Sequence, residues 1–183
     1  MSTASSLLKT HAKDPDRWKR CYSNVNDASG FRDWLHMIHG KNFWNDIEED
    51  YSSYPLKEFS GLLTYRYLWL FCLGNFKNVT SLDDLKVFEK HNCYINHFIR
   101  NENLEDDFIR VLELCGTKLS GAQIKTIYSS VKTNISSREE NISYYYDDDT
   151  INLVNDREHL IIDKFGYTPP IIVNQPVNSL TSR

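Results

Sequence analysis

Apolar residues recur at helical spacing along much of this chain. Between Ser29 and Gly40 they fall three and four positions apart, which predicts a short amphipathic helix that ends at the glycine. Its apolar positions are Phe31, Trp34, Leu35 and Ile38. Residues 61 to 73 are instead apolar and aromatic throughout. Periodicity does not separate a buried helix from a strand in such a segment, but its length favours a helix.

Further helices are predicted from residues that cap helix starts. Ser81 with Asp84, and Ser120 with Gln123, match the capping-box spacing, and Asn103 is a third cap. The predicted helices run over residues 81–90, 103–116, 120–131 and 149–164. Their apolar stripes predict these core residues: Phe108, Val111, Leu112, Ile124, Ile127, Val154 and Ile161.

One segment alternates instead. From Cys93 to Ile99 one face carries Cys, Ile, His and Ile, and the other carries Tyr, Asn and Phe, which predicts a strand. The pattern as a whole therefore predicts an α/β fold in which helices dominate. We expect a flexible amino terminus over residues 1–12, one domain over 13–167, and an extended or disordered tail over 168–183.

Composition and charge narrow the class of protein. The formal net charge is −4 and no long Lys/Arg stripe is present. This argues against a nucleic-acid partner, because binding to phosphates needs a basic surface. Residues 1–13 hold no apolar signal segment, and the apolar run around 67–73 is too short to span a bilayer. We therefore expect a cytoplasmic protein with no membrane partner.

Cysteine and histidine spacing predicts no metal site. The cysteines are far apart and match neither a Cys-x-x-Cys nor a Cys/His zinc pattern. Buried free thiols are favoured over a disulfide pair for Cys21, Cys72, Cys93 and Cys115. His36 and His39 share a helical face but have no carboxylate or cysteine at motif spacing.

Four segments resemble sulfotransferases of the Golgi-type and family 2 group. The most specific is HFIRNENLEDDFIRVLELCG over residues 97–116, which is similar to the family's strand, turn and helix with Ile-Arg-x-Glu-x-Leu-x-x-Asp-Phe. The others are GLLTYRYL at 61–68, KTNISSR at 132–138 and YYYDDDTINLV at 144–154, followed by Phe165-Gly166-Tyr167. Together they cover roughly residues 55 to 168.

The resemblance implies a fold and an activity. The fold is the P-loop-related three-layer architecture, represented here by its carboxyl-terminal part. The activity is transfer of a sulfuryl group from 3′-phosphoadenosine 5′-phosphosulfate to a hydroxyl, with a carbohydrate as the expected acceptor and no metal. The family's loop for the 5′-phosphosulfate has no counterpart in this sequence. An active enzyme would need it from a partner chain or from sequence upstream of Met1, and the catalytic base stays unassigned.

The same resemblance points to residues that would contact the nucleotide. In the family an Arg-x-Pro-x-x-Arg-x-x-Ser string holds the 3′-phosphate. Arg20 and Ser23 keep the final spacing, but two extra residues follow Pro15 and Lys13 replaces the first arginine. The second group of expected donor contacts is Lys132, Thr133, Ser137 and Arg138. An arginine fork with a hydroxyl suits a phosphate, while the alternatives are a solvated helix start and an ordinary polar loop.

A contrasting hypothesis is a catalytically inactive helical binding module, or a fragment, derived from such an enzyme. The missing phosphate loop favours it, whereas the family strings favour the enzyme. Structural roles are expected for Arg100, Glu102 and Asn103 in a salt bridge and a helix cap. Residues 147–149 are expected to cap a helix and complement its dipole.

Overall fold

Helices make up most of the chain in the computed structural model, which describes residues 14–47, 49–133 and 138–172. The α-helices are α1 (Pro15–Cys21), α2 (Ala28–His39), α3 (Trp44–Ile47), α4 (Glu49–Ser53), α5 (Leu62–Phe71), α6 (Leu82–Asn92), α7 (Leu104–Leu114), α8 (Gly121–Ser129), α9 (Ile142–Tyr145) and α10 (Asp148–Phe165). Short 3-10 helices cover Lys41–Phe43, Pro55–Glu58 and Asn101–Asn103. The expected dominance of helices is confirmed.

The predicted strand from Cys93 to Ile99 does not form. Cys93 makes an isolated antiparallel bridge to Cys72, and Gly74, with a φ of 99°, turns the chain away after it. Cys93 and Phe98, which the alternation places on opposite faces, both pack against the core. The described residues contain no β-strand, so they do not show the expected three-layer α/β sheet.

Local capping explains where the helices begin. The Ser81 side chain accepts from the Asp84 amide, and Ser120 and Gln123 form the predicted capping box. Asn103 stands at the start of α7 but makes no capping hydrogen bond with its side chain. Asp147 opens α10 through a capping box with Thr150, which confirms the expected capping role of the acidic run.

The core lies between α1, α2, α5 and the segment that leads into α5. The Trp18 ring is fully buried and its indole N–H donates to Asp46 Oδ2 at 2.8 Å. Tyr51 and Tyr65 pack their rings 5.4 Å apart. Aromatic pairs of this kind contribute about 0.5–1.5 kcal/mol beyond their buried area. This aromatic cluster therefore holds α5 against the amino-terminal helices.

The predicted core stripe of α7 and α8 is only partly buried. Phe108 is 40% exposed, which makes its assignment to the core wrong. The half-buried members are Val111, Leu112, Ile124, Ile127, Val154 and Ile161. Helices α7 and α8 pack on each other at the edge of the fold. Fewer neighbouring residues therefore cover an apolar stripe there than in the centre of the fold. Val154 and Ile161 of α10 do pack against the core.

Both predicted flexible ends lie largely outside the described residues. Of the predicted tail, residues 168–172 are described and contain no helix or strand. No helix in the described part of the chain is long and apolar enough to cross a membrane.

Candidate functional site

A buried polar cluster forms where α10 bends. The bend is at Glu158, whose φ of −115° and ψ of 19° depart from helical values. It frees the carbonyl of Arg157, which accepts a hydrogen bond from the Gly61 amide at 2.6 Å. The kink thus joins the middle of α10 to the start of α5.

The Glu158 carboxylate completes the amino terminus of α5. Oε1 accepts from the Leu63 amide at 3.0 Å, and Oε2 accepts from the Thr64 amide at 2.8 Å and its hydroxyl at 2.7 Å. These amides have no partner within their own helix, and the helix dipole favours an anion there. Burial nevertheless raises the pKa of Glu158, while the hydrogen bonds from Thr64 and Leu63 oppose that rise.

Arg157 binds the segment that precedes α5. Its Nη2 donates to the Ser60 carbonyl at 2.7 Å and to the Tyr51 hydroxyl at 3.0 Å, and its Nη1 donates to the Glu58 carbonyl at 3.2 Å. Two adjacent residues of opposite charge therefore fasten α10 to both sides of the turn into α5. Hydrogen bonds to both Glu158 oxygens and from both Arg157 Nη atoms make such charges tolerable, whereas Arg157 Nε has no partner among the described residues.

His39 faces this cluster from the end of α2. It is 5% exposed, and its Nδ1 lies 3.8 Å from Glu158 Oε1. Neither ring nitrogen has a hydrogen-bond partner among the described residues. Burial, with smaller contributions from the charges of Arg157 and His36, lowers the pKa of His39 to about 4. The ring is therefore neutral at pH 7 and carries an unused donor and acceptor.

Glu158 also lines a cavity of about 290 Å³, here called the Glu158 pocket. Its lining residues are Leu63, Glu102, Ile142, Tyr146, Ile151, Val154, Asn155, Glu158, Ile161, Ile162, Tyr167, Thr168, Pro169 and Pro170. Most of this wall is apolar, and Glu102 and Glu158 are its charged members. A pocket with an apolar wall and a few converging polar groups is the usual form of a small-ligand site.

A second cavity, of about 260 Å³, is rich in cations. This cationic pocket is lined by Phe98, Arg100, Arg110, Lys164 and Phe165. Arg100 Nε and Arg110 Nη2 lie 3.2 and 3.4 Å from Asp107 oxygens, and Lys164 Nζ lies 2.8 Å from Glu89 Oε1. Three cations thus meet two carboxylates, which leaves one excess positive charge for an anion.

The salt bridge expected for Arg100 is confirmed. Asp107 is buried and accepts from the Arg100 amide at 3.0 Å and from its Nε at 3.2 Å. These hydrogen bonds hold the pKa of Asp107 below its ordinary value. The segment 97–116 therefore contains a folding contact between Arg100, which precedes α7, and the first turn of α7.

The expected nucleotide contacts lie in different settings. The Ser23 hydroxyl donates to the Arg20 carbonyl at 2.8 Å at the end of α1. Lys132 Nζ lies 3.8 Å from Glu105 Oε1. The Arg138 guanidinium stacks over the rings of Phe31 and Tyr145, at 4.9 and 4.8 Å. Thr133 is exposed, and Ser137 lies outside the described residues. Nucleotide contact by these residues stays a prediction.

The sequence motifs do not predict the roles of His39, Arg157 and Glu158 in the buried cluster. Glu158 lies between Val154 and Ile161 on the apolar stripe of α10, and a charged residue at a core position is a sequence signal in itself. For His39 the only signal in the sequence is its helical spacing from His36. In the described ranges no group of three or more His, Cys, Asp or Glu residues is placed to hold a metal ion.

No protein-family model, curated protein or solved structure matches this chain.

Proposed function

We propose that this chain is a helical binding module for a small, mostly apolar ligand that carries an amine. The Glu158 pocket is the single observation that supports this function. Its apolar wall suits a hydrocarbon or aromatic body, since burying such surface yields about 25 cal/mol per Å². A cavity of about 290 Å³ is at the lower end for ligand sites, so the ligand is small.

The charge of the wall selects the ligand's polar group. Glu102 and Glu158 line the pocket, and no lysine or arginine is among the described residues of its wall. An ammonium group is attracted to these carboxylates, whereas a phosphate, sulfate or carboxylate is repelled. The proposed ligand class is therefore an apolar amine, and nucleotides are excluded from this pocket.

A pair of probes with opposite charge tests this function. We expect 2-phenylethylamine to shift amide resonances around the Glu158 pocket with a Kd of roughly 0.1 to 1 mM. The carboxylate 3-phenylpropionate, of similar shape, should bind at least about tenfold more weakly because the wall is acidic. Two-dimensional NMR titration of the intact chain measures both affinities.

Matched tryptophan variants locate the binding. Ile151→Trp fills the pocket and should weaken amine binding by at least about tenfold. Val131→Trp changes a residue that is 88% exposed and outside the pocket wall, and it should leave the affinity unchanged. Equal binding of both probes, or no effect of Ile151→Trp in a folded protein, would contradict the proposed site.

Sulfuryl transfer to a carbohydrate hydroxyl is the second candidate function. It is favoured by the family strings, and by the cationic pocket that two of those strings help to build. Arg100 and Arg110 come from the string at 97–116, and Phe165 from the closing Phe-Gly-Tyr. Their charge suits a phosphate or phosphosulfate. The 5′-phosphosulfate loop would still come from a partner chain or from sequence upstream of Met1.

Adenosine 3′,5′-bisphosphate tests the second function by calorimetry. If the sulfotransferase interpretation is right, we expect binding at high micromolar Kd or weaker. Removing one charge-assisted contact should weaken the binding free energy by about 1.5–3 kcal/mol. Arg110→Ala reports on the cationic pocket, and Arg20→Ala and Lys132→Ala report on the contacts expected from the sequence. No binding at millimolar nucleotide by the folded chain would leave the binding module as the better account.

A further inference from the structure

Two cysteines face each other where α5 and α6 end. Cys72 is the C-cap of α5 and Cys93 is the C-cap of α6. They pair across the isolated antiparallel bridge, although 20 residues separate them in the chain. Both are present as free thiols.

The hydrogen bonds around the bridge define its geometry. The Leu73 amide donates to the Asn92 carbonyl at 2.8 Å, and the Tyr94 amide donates to the Phe71 carbonyl at 3.1 Å. The flanking residues therefore carry the bonds, and the two cysteines occupy a non-hydrogen-bonded position. Cα atoms at such a position are about 4.5 Å apart, which lies within the range of about 4.4–6.8 Å that a disulfide spans.

We infer that Cys72 and Cys93 are a modification site, at which reaction with a low-molecular-weight disulfide forms a reversible disulfide across the bridge. The two thiols are neighbours. After burial, the charge of Cys93 and a side-chain hydrogen bond with Cys93 are among the causes that raise the pKa of Cys72. The bridge backbone already places both side chains on one face, so bond formation requires rotation about side-chain bonds and little backbone movement.

The two cysteines differ in their surroundings. Cys72 lines a cavity of about 540 Å³ whose wall also contains Trp69, Asn75 and Lys77. Cys93 is half-buried, with its sulfur 3.4 Å from the Tyr67 hydroxyl. A small disulfide such as oxidised glutathione carries carboxylates, and Lys77 at the cavity wall attracts them.

The reaction proceeds by two exchanges. The Cys93 thiol loses its proton to solvent, and its thiolate attacks one sulfur of the reagent, which forms a mixed disulfide and releases one reagent thiolate. Cys72 then loses its proton, and its sulfur attacks Cys93 Sγ and releases the second thiolate. Two protein thiols are oxidised to one disulfide, and the reagent is reduced to two thiols. Burial raises the pKa of Cys72 to about 12, so the second exchange should be slow and should quicken with rising pH.

The disulfide would join the carboxyl-terminal ends of α5 and α6, whose residues contact Lys164 of the cationic pocket. Tyr67 on α5 donates to Glu89 Oε1 at 2.7 Å, and the same oxygen pairs with Lys164. Oxidation therefore fixes the Tyr67–Glu89 pair that positions Lys164 in the cationic pocket. Closing a loop of this size should also raise the melting temperature by roughly 5 to 10 °C.

Oxidised glutathione is the probe for this inference. We expect proteolysis of the treated chain to yield a cross-linked peptide pair that contains Cys72 and Cys93, has lost the mass of two hydrogen atoms, and is separated by dithiothreitol. Cys72→Ser should stop at a single glutathione adduct on Cys93, because no second thiol displaces it. Cys115→Ser, which changes an exposed cysteine elsewhere, should still form the disulfide.

Peptide mapping and melting curves decide the result. A linked peptide pair with a raised melting temperature supports the inference. Adducts on Cys115 alone, or a linked pair that includes Cys21 or Cys115 in place of Cys72 or Cys93, would overturn it. A folded Cys72→Ala variant with the same melting response to glutathione as the unchanged chain would overturn it as well.

Discussion

Replacing Glu158 with alanine is expected to lower the free energy of unfolding by about 3 to 5 kcal/mol. The carboxylate accepts hydrogen bonds from the amides of Leu63 and Thr64 and from the Thr64 hydroxyl. Without it the buried amide and hydroxyl of Thr64 have no acceptor at the start of α5, and each such group costs about 1–3 kcal/mol. Urea unfolding followed by circular dichroism measures the loss.

Two further variants separate the effect of losing the Glu158 carboxylate from the effect of changing any acidic residue in α10. Glu158→Gln keeps the shape and one acceptor oxygen, so its loss should be smaller, about 1 to 3 kcal/mol. Asp156→Ala removes an exposed acid from the same helix, and it should change stability by no more than about 0.5 kcal/mol. A loss below about 1 kcal/mol for Glu158→Ala would show that this carboxylate does not cap α5.

The helix starts were predictable because their causes are local. Ser120 and Gln123 satisfy each other's backbone groups within one turn, and Ser81 does the same for Asp84. Such hydrogen bonds depend on residues three positions apart and on little else. The sequence therefore contains nearly all the information that places α6 and α8.

Burial was less predictable because it depends on what the rest of the chain brings to a helix face. The stripe that includes Phe108 has the spacing of a core helix, but α7 meets mainly α8 at the edge of the fold, and the ring stays 40% exposed. The alternation from Cys93 to Ile99 likewise has no neighbouring strand to pair with among the described residues. Periodicity reports which side chains share a face, and it does not report what covers that face.

The candidate site was only partly predictable for the same reason. Glu158 was visible as a charged residue in an apolar stripe. Its partners Leu63 and Thr64 are about 95 positions away in the chain, and the sequence alone does not bring them together. The kink that frees the Arg157 carbonyl for Gly61 also has no local signal, since no proline stands in α10.

Gly61→Ala is expected to lower the free energy of unfolding by about 3 kcal/mol, although glycine is the smaller residue. A Cβ atom at this position would lie 2.0 Å from Glu158 Oε1 and 2.9 Å from His39 Cε1. Backbone strain is not the cause, because the φ of −95° is open to any residue. The carboxylate must move, which weakens its hydrogen bonds to Leu63 and Thr64. Overpacking destabilises the fold by about a further 1–3 kcal/mol.

Gly121→Ala is the matched control for this substitution. Gly121 also stands at the start of a helix, but a Cβ atom there meets nothing within 4 Å, so stability should be unchanged or raised by up to about 1 kcal/mol. The double variant is the sharper test. In a Glu158→Ala background the clash with the carboxylate is gone and only the approach to His39 Cε1 remains. Gly61→Ala should therefore cost less there than in the unchanged chain, by at least about 1 kcal/mol, measured by the same urea unfolding. Additive losses would mean that Gly61 acts on stability independently of the Glu158 carboxylate.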